Sequence, residues 1–214
     1  MISRSDILQR ISLFPSLSDP ASEINEWYQR SLHTRDALLE MMERNTPFCN
    51  KIVRLAQSLC IFPFSSSVTI QELIQDATEM EFFSLAIMLE STRWILTLDA
   101  KNKNIPFRLN EHSLAVGVGV PVLADFFSMD PPDFMFITGY LHDIGKAVME
   151  KSFSADSAVI LDYATQNAVS VDEAERRLLG IDHMEVGALI LRQWRLPTAI
   201  VDAVRWHHLP GLYE

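Results

Sequence analysis

Histidine and aspartate are the residues of this sequence that could hold a metal, and they are unevenly placed. Five of the six histidines lie between residues 112 and 208, and all seven glycines lie between residues 117 and 211. One histidine is followed directly by an aspartate, in the string LHDIGK at residues 141–146. Imidazole nitrogens and carboxylate oxygens both bind divalent ions. The chemistry of this chain is therefore expected in its C-terminal half.

The histidines are predicted to share helix faces with core residues. His112 precedes Val116 at helical spacing, and His183 precedes Val186 in the same way. Burying an imidazole without partners costs about 1–3 kcal/mol, so several inward-facing rings need either a shared ion or a hydrogen-bonded polar network. We favour the ion, and the network remains the alternative. The predicted inward-facing set is His112, His142, Asp143, His183, His207 and His208.

The mixture of donors narrows the choice of metal. Histidine suits zinc, iron, manganese or nickel, and an added carboxylate favours the harder ions. We therefore expect one or two divalent ions, with iron or manganese favoured over zinc, nickel or magnesium.

The elements that must position these residues are predicted to be helices. Capping boxes are predicted at Thr69 with Glu72 and at Ser170 with Glu173, and Gly180 and Asp182 are expected to end one helix and begin the next. One long helix is predicted over residues 19–45, and Gly145 is expected to serve a turn with positive φ. No segment shows sustained two-residue alternation, so the fold is predicted to be all-α. A polar linker at residues 98–107 divides an N-terminal lobe (1–104) from a metal-site lobe (105–214).

Composition and charge exclude several other classes of protein. The chain has 214 residues, 48% of them hydrophobic, and a formal net charge of −10. This composition is that of a globular protein rather than a disordered one, and the negative charge argues against binding nucleic acid or an anionic membrane. The N-terminus carries no apolar signal segment, and no apolar run approaches the ~20 residues of a membrane span. A cytoplasmic protein is expected.

The order of these motifs resembles a known family. The string LHDIGK, preceded by His112 and followed by His183 and the pair His207-His208, resembles the HD superfamily of metal-dependent phosphohydrolases. The flanking segments 111–127 and 182–208 look like the C-terminal part of an HDOD domain, the signalling branch of that superfamily. The segments 47–60 and 68–89 are similar to its leading helices. The resemblance implies an HD-type helical bundle with an N-terminal helical lobe.

The resemblance also implies roles for the matching residues. His112, His142 and Asp143 would contribute to one metal. Asp143 would also bridge to a second metal, whose other ligands would be His183, His207 and His208. Asp143 and Lys146 would be the catalytic residues, because the lysine would meet a phosphate oxygen of the substrate.

The sequence departs from the active pattern of the superfamily in two places. Active members have a further aspartate well after the last histidines, and no aspartate follows His208 in this sequence. Asp202 precedes the histidine pair and does not match by position. The residues after His208 also lack the GYP signature of the cyclic-dinucleotide phosphodiesterases. The first metal is therefore expected to have one ligand fewer than in active members.

Two functions from different classes follow from the sequence. The first is a metal-dependent phosphohydrolase that acts on a phosphoester or nucleotide. The second is a catalytically inactive signalling module that keeps a residual metal site and binds a protein partner. A purely structural helical adaptor, with its histidines satisfied by hydrogen bonds, is a third alternative.

Overall fold

The chain folds into a bundle of helices. The computed structural model describes residues 4–30, 34–59, 69–101, 108–130, 132–153 and 157–212, and its regular elements over these ranges are helical. The all-α prediction is confirmed. In chain order the helices are α1 (Arg4–Ser12), α2 (Asp19–Gln29), α3 (Arg35–Arg44), α4 (Thr46–Leu59), α5 (Ile70–Asp76), α6 (Glu79–Lys101), α7 (Leu109–Phe126), α8 (Met135–Leu141), α9 (Ile144–Phe153), α10 (Ser157–Asn167), α11 (Val171–Leu179), α12 (His183–Gln193) and α13 (Thr198–Trp206), followed by a 3-10 turn (Pro210–Leu212).

Helix α6 lies at the centre of the bundle. Every residue from 82 to 88 is buried, which is expected when a helix is surrounded by others, and α6 packs against α2, α4, α7, α8 and α9. One cluster of buried apolar side chains extends from Ile7 to Val204, so both predicted lobes contribute to one core. The predicted lobe boundary, between residues 104 and 105, lies outside the described residues. Among the described helices, none is both long enough and apolar enough to cross a bilayer.

Several local signals act as the sequence predicts. Thr69 and Glu72 form a complete capping box at the start of α5. The Asp182 carboxylate accepts a hydrogen bond of 2.8 Å from the backbone N–H of Glu185 and so begins α12. Gly180 ends α11 in the left-handed conformation, with φ of 77°.

The prediction of one helix over residues 19–45 is wrong. Two helices, α2 and α3, occupy this range. Arg30 is extended, and Thr34 begins α3 because its hydroxyl accepts a hydrogen bond from the backbone N–H of Ala37. Residues 31–33 lie outside the described ranges. The interruption allows α3 to pack against α2, α4 and α5.

The second predicted capping box is also wrong. Ser170 occupies the N-cap position of α11 but makes no side-chain capping hydrogen bond. The Glu173 carboxylate pairs instead with Arg177, one turn further along the helix.

Gly145 has a structural role different from the predicted one. It lies in the first turn of α9, and Gly180 is the glycine with positive φ in the described part of the chain. A Cβ atom at position 145 would lie 1.9 Å from the carbonyl oxygen of His183 and 2.8 Å from the backbone nitrogen of Gly187. The missing side chain therefore lets α9 and α12 pack backbone to backbone, which brings Asp143 close to His183.

Replacing this glycine tests the close packing. We expect Gly145→Ala to lower the free energy of unfolding by about 3 kcal/mol or more, because both obstructing atoms belong to the backbone and cannot rotate away. Gly119→Ala is the matched control, since a Cβ atom on that helical glycine meets nothing within 4 Å. Alanine there should be neutral or stabilise the chain by about 0.5–1 kcal/mol. Urea unfolding measures both changes, and equal stabilities of the two variants would contradict the packing argument.

Candidate metal centre

The ends of five helices meet at one place in the bundle. His112 lies in the first turns of α7, and His142 and Asp143 form the turn between α8 and α9. His183 is the first residue of α12, and the pair 207–208 follows the last residue of α13. All six residues named from the sequence are therefore brought together from distant parts of the chain.

Asp143 lies at the centre of this group and is almost completely buried, with 1% of its surface exposed. Its Oδ1 atom lies 3.3 Å from Nε2 of His183 and 3.8 Å from Nε2 of His207. Its Oδ2 atom lies 3.3 Å from Nε2 of His142 and 3.5 Å from Nε2 of His112. Each carboxylate oxygen therefore faces two imidazoles.

The ligand-capable atoms form two groups that share Asp143. Within each group, all of the atoms lie within 4.8 Å of one another. One group consists of Asp143, His183, His207 and His208, and the other of His112, His142 and Asp143. The division is the one that the family resemblance implies, and the binding of ions by these residues stays a prediction.

Backbone carbonyl groups orient two of the rings. Nδ1 of His142 lies 2.7 Å from the carbonyl oxygen of Gly139, and Nδ1 of His207 lies 2.8 Å from that of Val204. A carbonyl oxygen can only accept, so both Nδ1 atoms must carry a proton. In the neutral ring of His207, Nε2 is then left as a lone pair that faces Asp143, whereas Nε2 of His142 lies 3.1 Å from Nε2 of His112.

A buried carboxylate orients the third ring. Oε2 of Glu175 accepts hydrogen bonds from Nδ1 of His183, at 2.6 Å, and from the backbone N–H of the same residue, at 2.9 Å. Glu175 is only 3% exposed and His183 is fully buried. The arrangement of carboxylate, imidazole and inward-facing Nε2 is one that proteins use to hold histidine ligands of metals, since it fixes the tautomer and raises the basicity of the ring.

The unsatisfied atoms of the cluster fit a cation. Oδ1 of Asp143 and Nε2 of His183 and of His207 are buried, and they have no hydrogen-bond partner among the described residues. These atoms are acceptors that face one another across 3.3–3.8 Å, which is unfavourable without positive charge between them. Burial and the neighbouring imidazoles lower the pKa of His207 to about 4, so this ring is neutral at pH 7. The donor set therefore fits a divalent metal.

Asp143 is held in its ionised form by its surroundings. Burial, the largest influence, would raise the pKa of Asp143, but the imidazole of His142 and the ammonium of Lys146 outweigh it and hold the pKa well below its usual range. Nζ of Lys146 donates to Oδ2 at 2.7 Å. The burial of His112 and His208 lowers the pKa of each ring. At pH 7 the cluster thus presents an ionised carboxylate beside the uncharged rings of His112, His207 and His208.

A network of charges fixes the helix that carries Glu175. The guanidinium of Arg176 donates to Asp172, on the same helix, and to Asp182, the capping residue of α12, at 2.6 Å each. Burial would lower the pKa of Arg176, but these two carboxylates raise it above its ordinary value. Arg205 of α13 lies 3.9 Å from Asp182 as well. Charged contacts therefore connect α11, the start of α12 and the end of α13 next to the cluster.

These contacts identify a residue that the sequence analysis did not single out. Glu175 has charged neighbours in the sequence but is buried against His183. The carboxylate of Glu185, which is closer to His183 in the sequence, lies 3.9 Å from Arg205 instead. The periodicity of α11 contained the signal, because Glu175 shares a helix face with Val171 and Leu178.

The comparisons with known proteins give the family. The family model of the HDOD domain matches residues 14–210. This chain therefore belongs to the HDOD domain family, as the motifs in its sequence predict. A curated relative, an uncharacterised protein of Treponema pallidum, is 22% identical over 73 residues. That alignment covers 34% of this chain and only 14% of the relative.

Solved structures share the fold. A predicted phosphohydrolase from Shewanella amazonensis SB2B is similar with a TM-score of 0.74 and 22% identity, over 98% of this chain and 74% of that chain. An HDOD domain protein of unknown function from Geobacter sulfurreducens is similar with a TM-score of 0.72 and 18% identity, over 99% and 72% of the two chains. A predicted metal-dependent phosphohydrolase from the same Shewanella strain is similar with a TM-score of 0.60 and 14% identity, over 98% and 76%. At these identities the likeness establishes the HD-type helical fold.

The role of Glu175 can be tested through metal affinity. We expect Glu175→Gln to weaken the binding of a divalent ion by about 10–100-fold, because the neutral amide orients His183 less firmly and makes it less basic. Competition with a chelator of known affinity measures the change, using Mn²⁺ and Zn²⁺ as probes. Glu173→Gln is the control, since Glu173 pairs with Arg177 on the outside of the same helix. Equal affinities in the two variants would exclude a positioning role.

The charge network predicts a pH-dependent contribution to stability. Burial would raise the pKa of Asp172, but the Ser170 hydroxyl and the Arg176 guanidinium lower it below 3.8. Because this folded-state value lies below the unfolded value of about 3.9, the carboxylate stabilises the fold above pH ~4. That contribution is lost as the pH falls through the folded-state pKa.

We therefore expect Asp172→Asn to destabilise the chain by about 1 kcal/mol at pH 7, and by progressively less below pH ~4. Urea unfolding at pH 7 and pH 3 measures the difference from the parent chain. Glu173→Gln should change the stability by no more than about 0.5 kcal/mol at pH 7, because its ion pair is exposed. A destabilisation by Asp172→Asn that is equal at both pH values would contradict the assignment.

Proposed function

We propose that this chain is a metal-dependent phosphohydrolase that acts on a phosphoester, with a nucleotide as the candidate substrate. One observation carries the proposal. Three buried acceptor atoms, on Asp143, His183 and His207, point at one another without hydrogen-bond partners among the described residues. The HD-type fold supports the same reading, because its helix ends bring these side chains together.

The protein's own residues would bind and orient the ions. Asp143 offers one oxygen to each of the two groups of ligands, so it is the residue that would join two sites. In such sites, divalent ions supply Lewis-acid polarisation of a phosphoryl oxygen and lower the pKa of water. Iron or manganese remain the favoured ions, because the donors mix imidazole with carboxylate.

The cluster is open to solvent on one side. His208 is exposed, and the side chains of His112 and Lys146 are 35% and 27% exposed, whereas His183 is fully buried. A phosphate group would therefore approach from the side of these three residues. The Lys146 ammonium adds positive charge there and can donate to a phosphate oxygen. His183 and Glu175, on the closed side, hold their positions without contact with water.

The two groups of ligands differ in number. The group with His183 offers four residues, and the group with His112 and His142 offers three. A site with fewer protein ligands keeps coordination positions for water or substrate. The group of His112, His142 and Asp143 would therefore have room for a substrate oxygen.

The proposal predicts loss of turnover when the cluster is altered. Protein purified without chelator is assayed for metal content and for phosphate release from nucleotides and from methyl phosphate. We expect both Asp143→Asn and His142→Ala to lower turnover by more than about 100-fold. Losing a residue that only contacts a metal ligand costs up to about 100-fold, and losing a ligand itself should cost more. Asp162→Asn, an exposed substitution on α10, is the control.

Circular dichroism of each variant separates loss of activity from loss of fold, and Asp143→Asn preserves the size of the side chain. Metal-loaded protein that hydrolyses none of these phosphoesters would overturn the proposal. Activity that survives both substitutions and a chelator would also overturn it.

A second candidate function is supported by an exposed apolar cluster. Val122 and Phe126 lie one turn apart at the end of α7, Met129 follows the helix, and each is more than half exposed. Leu123 and Phe127 are exposed as well, and the exposed Asp125, Asp130 and Asp133 are close to them in the sequence. Exposed apolar patches with a polar rim mark interaction sites. We propose, as the alternative, a cytoplasmic signalling module that binds a basic, amphipathic segment of a protein partner and does not hydrolyse phosphoesters.

The two functions predict opposite phenotypes in a cell that produces this protein. For the signalling module, we expect Phe126→Glu with Phe127→Glu to abolish the cellular effect and Asp143→Asn to preserve it. For the phosphohydrolase, Asp143→Asn abolishes the effect. Protein levels are measured in parallel, because a loss of the chain would imitate either result.

A further inference from the structure

A cavity of about 350 Å³ lies beside the cluster of histidines. This volume is at the lower end of the range for small-molecule sites, about 300–1,000 Å³. Its wall is formed by Phe134, at the start of α8, and by one face of α13 with the residues that follow it. His207 belongs to both the cavity wall and the cluster. A molecule in the cavity would therefore lie next to the predicted metal ligands.

The face of α13 explains the shape of the cavity. Ala199, Asp202, Ala203 and Trp206 occupy positions i, i+3, i+4 and i+7, so they lie on one side of the helix. The two alanines are exposed and leave space that larger side chains would fill. The cavity is thus open to solvent beside Ala199 and Ala203, and Trp206 bounds it at one end of this helix face.

The chemistry of the wall fits a flat ring that carries N–H donors. Phe134 and Trp206 supply aromatic surface, and rings pack well against such surfaces. The Arg205 guanidinium lies 4.6 Å from the centre of the Trp206 ring and holds the indole in place from another side. Asp202 contributes a carboxylate that can only accept hydrogen bonds when ionised. Its ion pair with Arg192 is loose, at 3.9 Å, so its oxygens can accept from a ligand.

We propose that this cavity binds the nucleobase of the substrate, with Asp202 selecting bases that carry an exocyclic amine. The inference rests on the proposed phosphohydrolase function, because it places the organic part of the phosphoester beside His207. Asp202 then acts as a specificity residue rather than a metal ligand, and Ala199 with Ala203 provides the room for the ring.

Nucleosides without phosphate test the cavity separately from the cluster. Adenosine and purine riboside differ only in the amino group, and ribose lacks the base. By isothermal titration calorimetry we expect adenosine to bind about tenfold more tightly than purine riboside, the value of one hydrogen bond to a partly exposed carboxylate. Asp202→Ala should remove this difference, and ribose should not bind.

A steric substitution provides the second measurement. Ala203→Trp should lower the affinity for both nucleosides by at least about tenfold, because the indole fills the space of the base. Ala37→Trp is the matched control, since Ala37 is an exposed alanine of α3 that is not part of the cavity wall. Unchanged nucleoside binding in Ala203→Trp, or equal affinities of the parent chain for the two nucleosides, would overturn the proposal.

Hydrolysis of methyl phosphate separates this inference from the proposed function. Methyl phosphate has no base and should need the cluster but not the cavity. If Ala203→Trp hydrolyses it as the parent chain does, and neither protein binds a nucleoside, the cavity proposal fails while the phosphohydrolase stands. If the parent chain binds nucleosides and Ala203→Trp does not, but no phosphoester is hydrolysed, the cavity is a nucleoside site and the proposed phosphohydrolase activity is wrong.

Discussion

The arrangement of this molecule depends on one electrostatic conflict, in which a buried carboxylate is surrounded by the lone pairs of imidazoles. The Nδ1 atoms of His183 and His207 donate to groups that can only accept, so the Nε2 atoms of the neutral rings face Oδ1 of Asp143 as acceptors. Burying such a set costs free energy unless positive charge lies within it. The surrounding helices supply much of the energy that keeps the acceptors together. This cost is the physical reason for the proposal that the cluster binds a cation.

The sequence was sufficient to predict the fold class, the family and the members of the cluster. Four separate segments each place a histidine beside apolar residues, and only a helical bundle with a common centre accommodates all of them. The residues 141–146 carry the most information, because the turn between α8 and α9 must present His142 and Asp143 side by side. The apolar face of each helix thus indicates which histidine points inward, and the inward-facing histidines of different helices lie close together in the folded chain.

The features that escaped prediction depend on contacts between helices. Glu175 was not identified, because the periodicity of α11 indicates an inward-facing residue but not that His183 lies next to it on the adjoining helix. The break between α2 and α3 was missed because the apolar spacing continues across it, and the hydroxyl of Thr34 competes for the backbone at that point. The cavity beside His207 could not be predicted, because empty space between α8 and α13 has no signature in either helix.

The close approach at Gly145 has a consequence for how the site could choose its ion. The gap between Asp143 and His183 is set by two main chains in contact, and main chains yield far less than side chains do. The space between these two side chains therefore has a rigid width along one direction, whereas His112 and His208 lie nearer the solvent. If Asp143 and His183 bind a metal ion as proposed, discrimination by ionic radius would arise along this rigid direction, and a methyl group added at position 145 would alter the preferred ion without contacting either side chain.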